Sequence, residues 1–207
     1  SNTAAGFNSL LANTTGTVNQ AFGRSSLCSN TEGDCNSAFG YFSLSSNTTG
    51  ECNTALGNSS LSANTSASYN TAAGFKSLNA NTTGANNTTI GYNALASNTT
   101  ASENTAVGYQ AGYAITTGIN NTLIGALSGD AITIGKNNVA LGYSTLSTDT
   151  QGNKTTAIGR SALQKQNFTT ATDVFNVAVG YEAGLEVTTG KQNTLIGALS
   201  GDAITDA

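Results

Sequence analysis

The sequence contains no histidine, methionine, proline or tryptophan, and only 9% of its 207 residues are charged. Without histidine it lacks the commonest metal ligand and general base. Without proline it lacks the residue that most often interrupts hydrogen bonding inside a sheet, so a long, regularly paired backbone is open to it. Seven Lys and Arg are scattered among eleven Asp and Glu, for a net charge of -4. That leaves no basic stripe for counterion release, and no nucleic-acid partner is expected. No run of about 18 apolar residues is present to cross a bilayer as a helix, and the start does not have the charged-then-apolar form of a signal peptide. No membrane insertion is expected of this segment. The acids stand singly rather than in pairs, so the reading is of a protein that is not an enzyme and takes no cofactor and no metal.

What is present in excess is Asn, Thr, Ser, Gly and Ala. Such a composition also fits a disordered linker, and only the order of the residues separates the two. A glycine recurs at Gly6, Gly23, Gly40, Gly57, Gly74, Gly91, Gly108, Gly125, Gly142 and Gly159, each 17 residues after the last, and then at Gly180 and Gly197, with a single step of 21. Four residues before it stands Asn2, Asn19, Asn36, Asn53, Asn70, Asn87, Asn104, Asn121, Asn138, Asn176 or Asn193, Thr155 being the exception. Two before it is usually Ala, one before it is always apolar, four after it is Leu or Gly, and eight after it is Thr except at Asn167. A second period overlies the first, since residues 116–133 recur almost unchanged at 188–205.

A 17-residue period is too short for helical-pair repeats or propeller blades, which need roughly 30 to 50 residues per unit. It suits one turn of a β-solenoid. Runs such as Asn87 to Tyr92 supply a short β-rich segment and runs such as Asn81 to Gly84 supply turn chemistry. The fold class read from the sequence is all-β: a parallel β-solenoid, or β-roll, of twelve coils over residues 1–207. A four-residue insertion lies near 167–175, and the whole is a fragment of a longer fibrous protein. Residues one before and one after the glycine share a face by strand alternation. Those larger side chains, such as Ile90 with Tyr92, are expected to fill the coil interior, and the Ala and Gly face is expected to pack against copies of the chain. One coil has a thin core against an ordering cost of about 1 to 2 kcal/mol per residue. The expected assembly is therefore a homotrimer, with a single-chain β-helix as the alternative.

Several residues are candidates for more than scaffolding. Cys35 and Cys52 fall in one column of consecutive coils, about 4.8 Å apart at the α-carbons, which leaves a disulfide between them open; Cys28 lies in another column. The asparagine column before the glycine is expected to form a turn-stabilising amide ladder. The sequons at Asn13, Asn47, Asn64, Asn81 and Asn98 read as turns, as do the Gly-Asp pairs at Asp130 and Asp202. Thr14, Thr31, Thr48, Thr65, Thr82, Thr99 and Thr116 form a column that raises ice binding as an alternative, although the residue two positions on is usually Gly. Lys76, Gln110, Glu182 and Gln164, in the variable second and fifth positions after the glycine, are where flank recognition is expected. The insertion, Asn167 to Asp173, is expected to bulge from the surface.

The strings NVALG (Asn138 to Gly142), NVAVG (Asn176 to Gly180) and TTAIG (Thr155 to Gly159) resemble the S-V-A-I-G signature of YadA-type trimeric autotransporter adhesin heads. NTAVGYQA (Asn104 to Ala111) resembles repeats of phage tail fibres. These resemblances cover the chain and imply trimers of left-handed parallel β-rolls, although YadA-type heads use shorter coils. The expected function is a structural and recognition segment of a trimeric extracellular fibre, in a virion tail fibre that attaches to host cells or, alternatively, in a bacterial surface adhesin. The implied partners are further copies of the chain and a cell-surface glycan or other host receptor.

Overall fold

A computed structural model describes residues Ser1–Asp206. Among them the chain is an all-β, parallel β-solenoid of about twelve turns with no helix. It divides into two compact units, Ser1–Glu103 and the residues from Asn104 onward.

The first unit stacks β1 (Thr3–Ala5), β2 (Gln20–Phe22), β3 (Ser37–Phe39), β4 (Thr54–Leu56), β5 (Thr71–Ala73) and β6 (Thr88–Ile90). Neighbours pair in parallel and without slippage, so Ala21, Ala38, Ala55, Ala72 and Thr89 lie in one column. The second unit repeats this with β7 (Thr105–Val107), β8 (Thr122–Ile124), β9 (Val139–Leu141), β11 (Thr156–Ile158), β13 (Val177–Val179) and β14 (Thr194–Ile196). A separate small ladder joins β10 (Gly152–Asn153) to β12 (Thr172–Asp173).

Each strand of the main sheet is only three residues long, because the chain must leave the sheet at the marker glycine. Gly57 shows why the residue has to be glycine. Its φ of +134° lies where side chains are strained, and a Cβ there would sit 2.6 Å from the carbonyl oxygen of Gly74 in the next coil. The turn that follows places two residues in the left-handed region, as at Phe42 (φ 53°) and Leu44 (φ 52°), and a third precedes the asparagine column, as at Cys52 (φ 54°). An isolated L-residue pays about 1 to 2 kcal/mol for that conformation. Here each strained corner stacks on its copy and is hydrogen bonded to it, as in Leu44 N to Ser60 O (3.0 Å) and Ser59 N to Tyr41 O (2.8 Å). Serine hydroxyls reinforce the corner, Ser43 and Ser60 each donating to the marker-glycine carbonyl three residues back (3.0 Å).

The interior is the reverse of the sequence expectation. From β2 to β6 the small middle residue of the strand points inward and is fully buried, as are Leu27, Leu44, Leu61, Leu78 and Leu95, four residues after the glycine. The large residues on either side of the glycine point outward: Leu56 is 53% exposed, Ile90 46% and Tyr92 46%. Where a corner leucine and two asparagines fill the coil, the strand presents only a small side chain to it. The leucine enters from a left-handed corner, a position that strand alternation does not describe. Where a polar residue takes the alanine place it is satisfied internally: Ser77 Oγ donates to Thr89 Oγ1 (2.7 Å), which donates to Thr71 O (3.2 Å).

The second unit keeps the corner leucine at Leu146 and Leu163 and fills the space differently in other coils. Gly129 replaces the corner leucine, and a Cβ there would lie 2.8 Å from Leu123 Cδ2 and 2.9 Å from Ile132 Cδ1. Leu123 takes the usual alanine place and Ile132 the usual asparagine place, so apolar volume moves around the coil while the total is kept.

Gly57→Ala is expected to destabilise the first unit by about 3 kcal/mol or more, from the strained φ together with the clash. Urea unfolding followed by circular dichroism measures this; an unchanged midpoint contradicts the close-approach account.

Candidate functional site

The polar side chains that the repeat brings together lie mostly inside the coils. In the first unit the column four residues before the glycine forms a ladder. Asn36 N donates to Asn19 Oδ1 (2.9 Å), Asn36 Nδ2 donates to Gly50 O (2.8 Å), and Asn53 N donates to Asn36 Oδ1 (3.0 Å). In the second unit Asn121 N donates to Asn104 Oδ1 (2.9 Å) and Asn121 Nδ2 to Gly135 O (2.9 Å). Each amide thus ties one coil to the next and closes a turn.

A second ladder, not distinguished in the sequence, is formed by the asparagines of the sequons. Asn64 Nδ2 donates to Asn47 Oδ1 (2.8 Å) and to Ala67 O (2.9 Å), and Asn81 Nδ2 donates to Asn64 Oδ1 (3.0 Å). Asn30, Asn47, Asn64, Asn81 and Asn98 are fully buried and Asn13 is half-buried. A glycan on any of the five buried amides is incompatible with the folded coil. The signal available in the sequence was the strict 17-residue spacing of the Asn-Thr pairs at Asn13, Asn30, Asn47, Asn64, Asn81 and Asn98.

In the second unit this column runs Ile115, Ile132, Asp149, Gln166, Val187, Ile204, and the polar pair stands beside the insertion. Asp149 is fully buried. Its Oδ1 accepts from Gly152 N and Phe168 N (3.0 Å each) and its Oδ2 accepts from Gln166 Nε2 (2.7 Å). Gln166 also donates to Thr155 Oγ1 (3.1 Å) and accepts from Asn176 Nδ2 (2.8 Å), bridging the place where Thr155 interrupts the asparagine column. Burial pushes the Asp149 carboxyl above its ordinary value, with the Gln166, Phe168, Gly152 and Gln151 donors opposing.

The insertion does not simply bulge. Phe168 and Val174 are buried, Thr172–Asp173 pairs in parallel with Gly152–Asn153, and Lys154 Nζ meets Asp173 Oδ2 at 2.7 Å; only Thr169, Thr170 and Ala171 form an exposed tip. Buried apolar anchors at both ends fold the four extra residues onto the scaffold.

Of the flank residues, Lys76 is exposed and lies 5.5 Å from the Phe75 ring, whereas Gln110, Gln164 and Glu182 are half-buried, Glu182 holding Arg160 at 3.0 Å. The threonines eight after the glycine spend their hydroxyls between coils, Thr48 Oγ1 donating to Thr65 O (3.0 Å) and Thr82 Oγ1 to Thr99 O (2.9 Å). Asp130 is half-buried with one carboxylate oxygen lacking a partner, and desolvation raises its pKa. Asp202 is exposed. Cys28, Cys35 and Cys52 are free thiols in this structure; Cys35 and Cys52 are exposed and Cys28 half-buried. Among the described residues there is no pocket and no group of three or more thiols and carboxylates placed to hold a metal.

The surface feature with the greatest extent is therefore the outer side of the sheets. One before each glycine stands an outward apolar side chain, exposed at Phe22, Leu56, Ile90, Ile124 and Ile196. Two residues earlier on the same face stands a threonine at Thr54, Thr71, Thr88, Thr105, Thr122, Thr156 and Thr194. One after the glycine, planar groups stack coil on coil. The Arg24 guanidinium lies 5.8 Å from both the Phe7 and Tyr41 rings, and that of Arg160 lies 5.8 Å from Tyr143 and 5.4 Å from Tyr181. No protein-family model, curated protein or solved structure matches the chain.

Two measurements follow from the interior. Asn64→Ala strips partners from Asn47, Ala67 and Asn81 at once and is expected to cost about 3 kcal/mol, at roughly 1 to 3 per buried orphan. The Asp149 carboxyl has a raised folded-state pKa, so in the window above the unfolded value of about 3.9 the folded state binds more protons than the unfolded state. Its contribution is present in full below that value and is lost as pH rises toward the folded pKa. Stability of the second unit is expected to fall with rising pH across this window, and Asp149→Asn to flatten the fall, as read from melting temperatures in a pH series.

Proposed function

We propose that this chain is a structural and recognition segment of a trimeric extracellular fibre, used by a phage tail fibre to engage its host cell. The observation that carries this reading is the outward apolar column one residue before the marker glycine. Soluble monomers rarely leave contiguous apolar patches beyond a few hundred Å² uncovered, and here each unit repeats its apolar residue in coil after coil. The contact surface is thus this column, not the alanine and glycine face. Parallel copies around one axis bring the columns together coil by coil. Because the chain turns at the glycine, the columns before and after it meet at a corner. A ring of three offers such a corner two neighbours, where a pair offers one. The alternative within this reading, a bacterial surface adhesin, uses the same packing. Recognition along the flank would rest on weak sites multiplied over coils and chains.

The test is the solution mass by light scattering on a sizing column, with dilution. A stable trimer is expected for the natural chain. Ile90→Lys and Ile124→Lys, both exposed in the single chain, are expected to yield folded monomers, while Thr49→Lys on another face leaves the trimer intact. A folded natural monomer refutes the proposal. For recognition, binding to arrayed cell-surface glycans is the readout, and silence at high density makes these coils a passive shaft.

A second reading draws on the same face. Outward pairs in the second unit such as Thr105 with Val107, Thr122 with Ile124 and Thr156 with Ile158 set a threonine and an aliphatic side chain two residues apart on short parallel strands, a regular array of the kind that ice binding needs. Gln20, Phe22, Ser37 and Phe39 break that regularity. A monomer with thermal hysteresis would favour this reading, since a trimer covers the array.

A further inference from the structure

Cys35 and Cys52 occupy the same position in consecutive coils, with nearly the same backbone, φ 57° and 54°. Equal conformation in parallel coils makes their Cα–Cβ bonds parallel, and the stacking sets the α-carbons about 4.8 Å apart, inside the roughly 4.4–6.8 Å that a disulfide spans, so that only a slight tilt of the β-carbons toward each other, to about 4.5 Å or less, closes the bridge. The backbone holds both in place: Cys35 N donates to Thr17 O (3.0 Å) and Cys52 N to Asp34 O (2.9 Å). Both side chains are exposed and both thiols are free. Cys28 stands apart, half-buried, with its sulfur against Ser45 O at 3.3 Å.

Acids surround the pair. Asp34 and Glu51 immediately precede the two cysteines, and Glu32 is close in sequence. Asp34 accepts from the backbone and the hydroxyl of Thr17. The Cys52 thiol is pushed above its ordinary value, first by desolvation and then by the neighbouring Cys35, Glu51 and Asp34 side chains.

We propose that Cys35 and Cys52 are a thiol–disulfide exchange site, which small cationic disulfides oxidise to a bridge clamping two consecutive coils. One thiol, as thiolate, attacks a sulfur of the incoming disulfide. That S–S bond breaks, and the departing sulfur takes a proton and leaves as a thiol. The second cysteine, as thiolate, then attacks the protein-bound sulfur of the mixed disulfide and releases the second thiol. Two electrons and two hydrogens pass from the cysteine pair to the reagent, which is consumed as two thiols. The acidic surroundings attract a cationic reagent and repel an anionic one, and salt screens this preference.

The natural chain, folded and reduced, is treated with cystamine or with oxidised glutathione; free thiols are then alkylated and the products mapped by intact and peptide mass spectrometry. The expected product is an uncrosslinked chain lighter by two hydrogens, with Cys35 joined to Cys52 and Cys28 alkylated. Cystamine is expected to react several-fold faster than glutathione disulfide at low salt, the ratio falling as salt is raised and in Glu51→Gln. Cys35→Ser is expected to stop at a stable mixed disulfide on Cys52. A chain that keeps reagent on both Cys35 and Cys52, that leaves both alkylated, or that crosslinks to another chain through them overturns the proposal. Equal rates for the two reagents at low salt overturn its charge selectivity.

Discussion

The amides inside the coils are the constraint on which the rest depends. A 17-residue loop encloses little room for apolar packing. What holds the turns shut is an asparagine that accepts from the following coil and donates to the carbonyl that closes a turn, at Asn36 along one wall and at Asn47 along the other. Such a bond contributes only about 1 kcal/mol net when made, but leaving its buried partner unmade costs more than that. The ladder is therefore strict about register, and the strict register is what places every outward side chain in a column.

Close stacking has a second requirement, that nothing intervene at the corner. The marker glycine meets it by having no side chain and by accepting a backbone angle that other residues resist. The left-handed corners at Phe42, Leu44 and Cys52 meet it by repetition, each leaning on its copy. Where the pattern is broken, the break is compensated nearby. Gly129 gives up the leucine and Leu123 with Ile132 restores the volume; Thr155 gives up an amide and Gln166 supplies one from the opposite wall.

Much of this was legible in the sequence, because a repeat multiplies every local signal. The period, the marker glycine, the first asparagine column and the parallel pairing could be read from residue order. The orientation of the strands could not. Alternation says that Ile90 and Tyr92 share a side and Thr89 the other, but not which side is inside; that is decided by Leu95, at a left-handed corner that leucine's own preferences disfavour. The second asparagine ladder was hidden by its likeness to an acceptor motif. The role of Asp149 was invisible because its partners, Gln166 and Phe168, belong to the following coil and are brought to it only by stacking.

The near-identity of residues 116–133 and 188–205 acquires a meaning from this architecture. Their offset of 72 residues is a whole number of coils once the insertion is included, so the two stretches occupy the same phase of the solenoid. Unequal recombination between the corresponding stretches of the gene would add or remove that block and leave the glycine, asparagine and apolar columns in phase on either side of the junction. The chain is thus a ruler graduated in coils, whose length can drift in a lineage by whole graduations without a new fold having to be found.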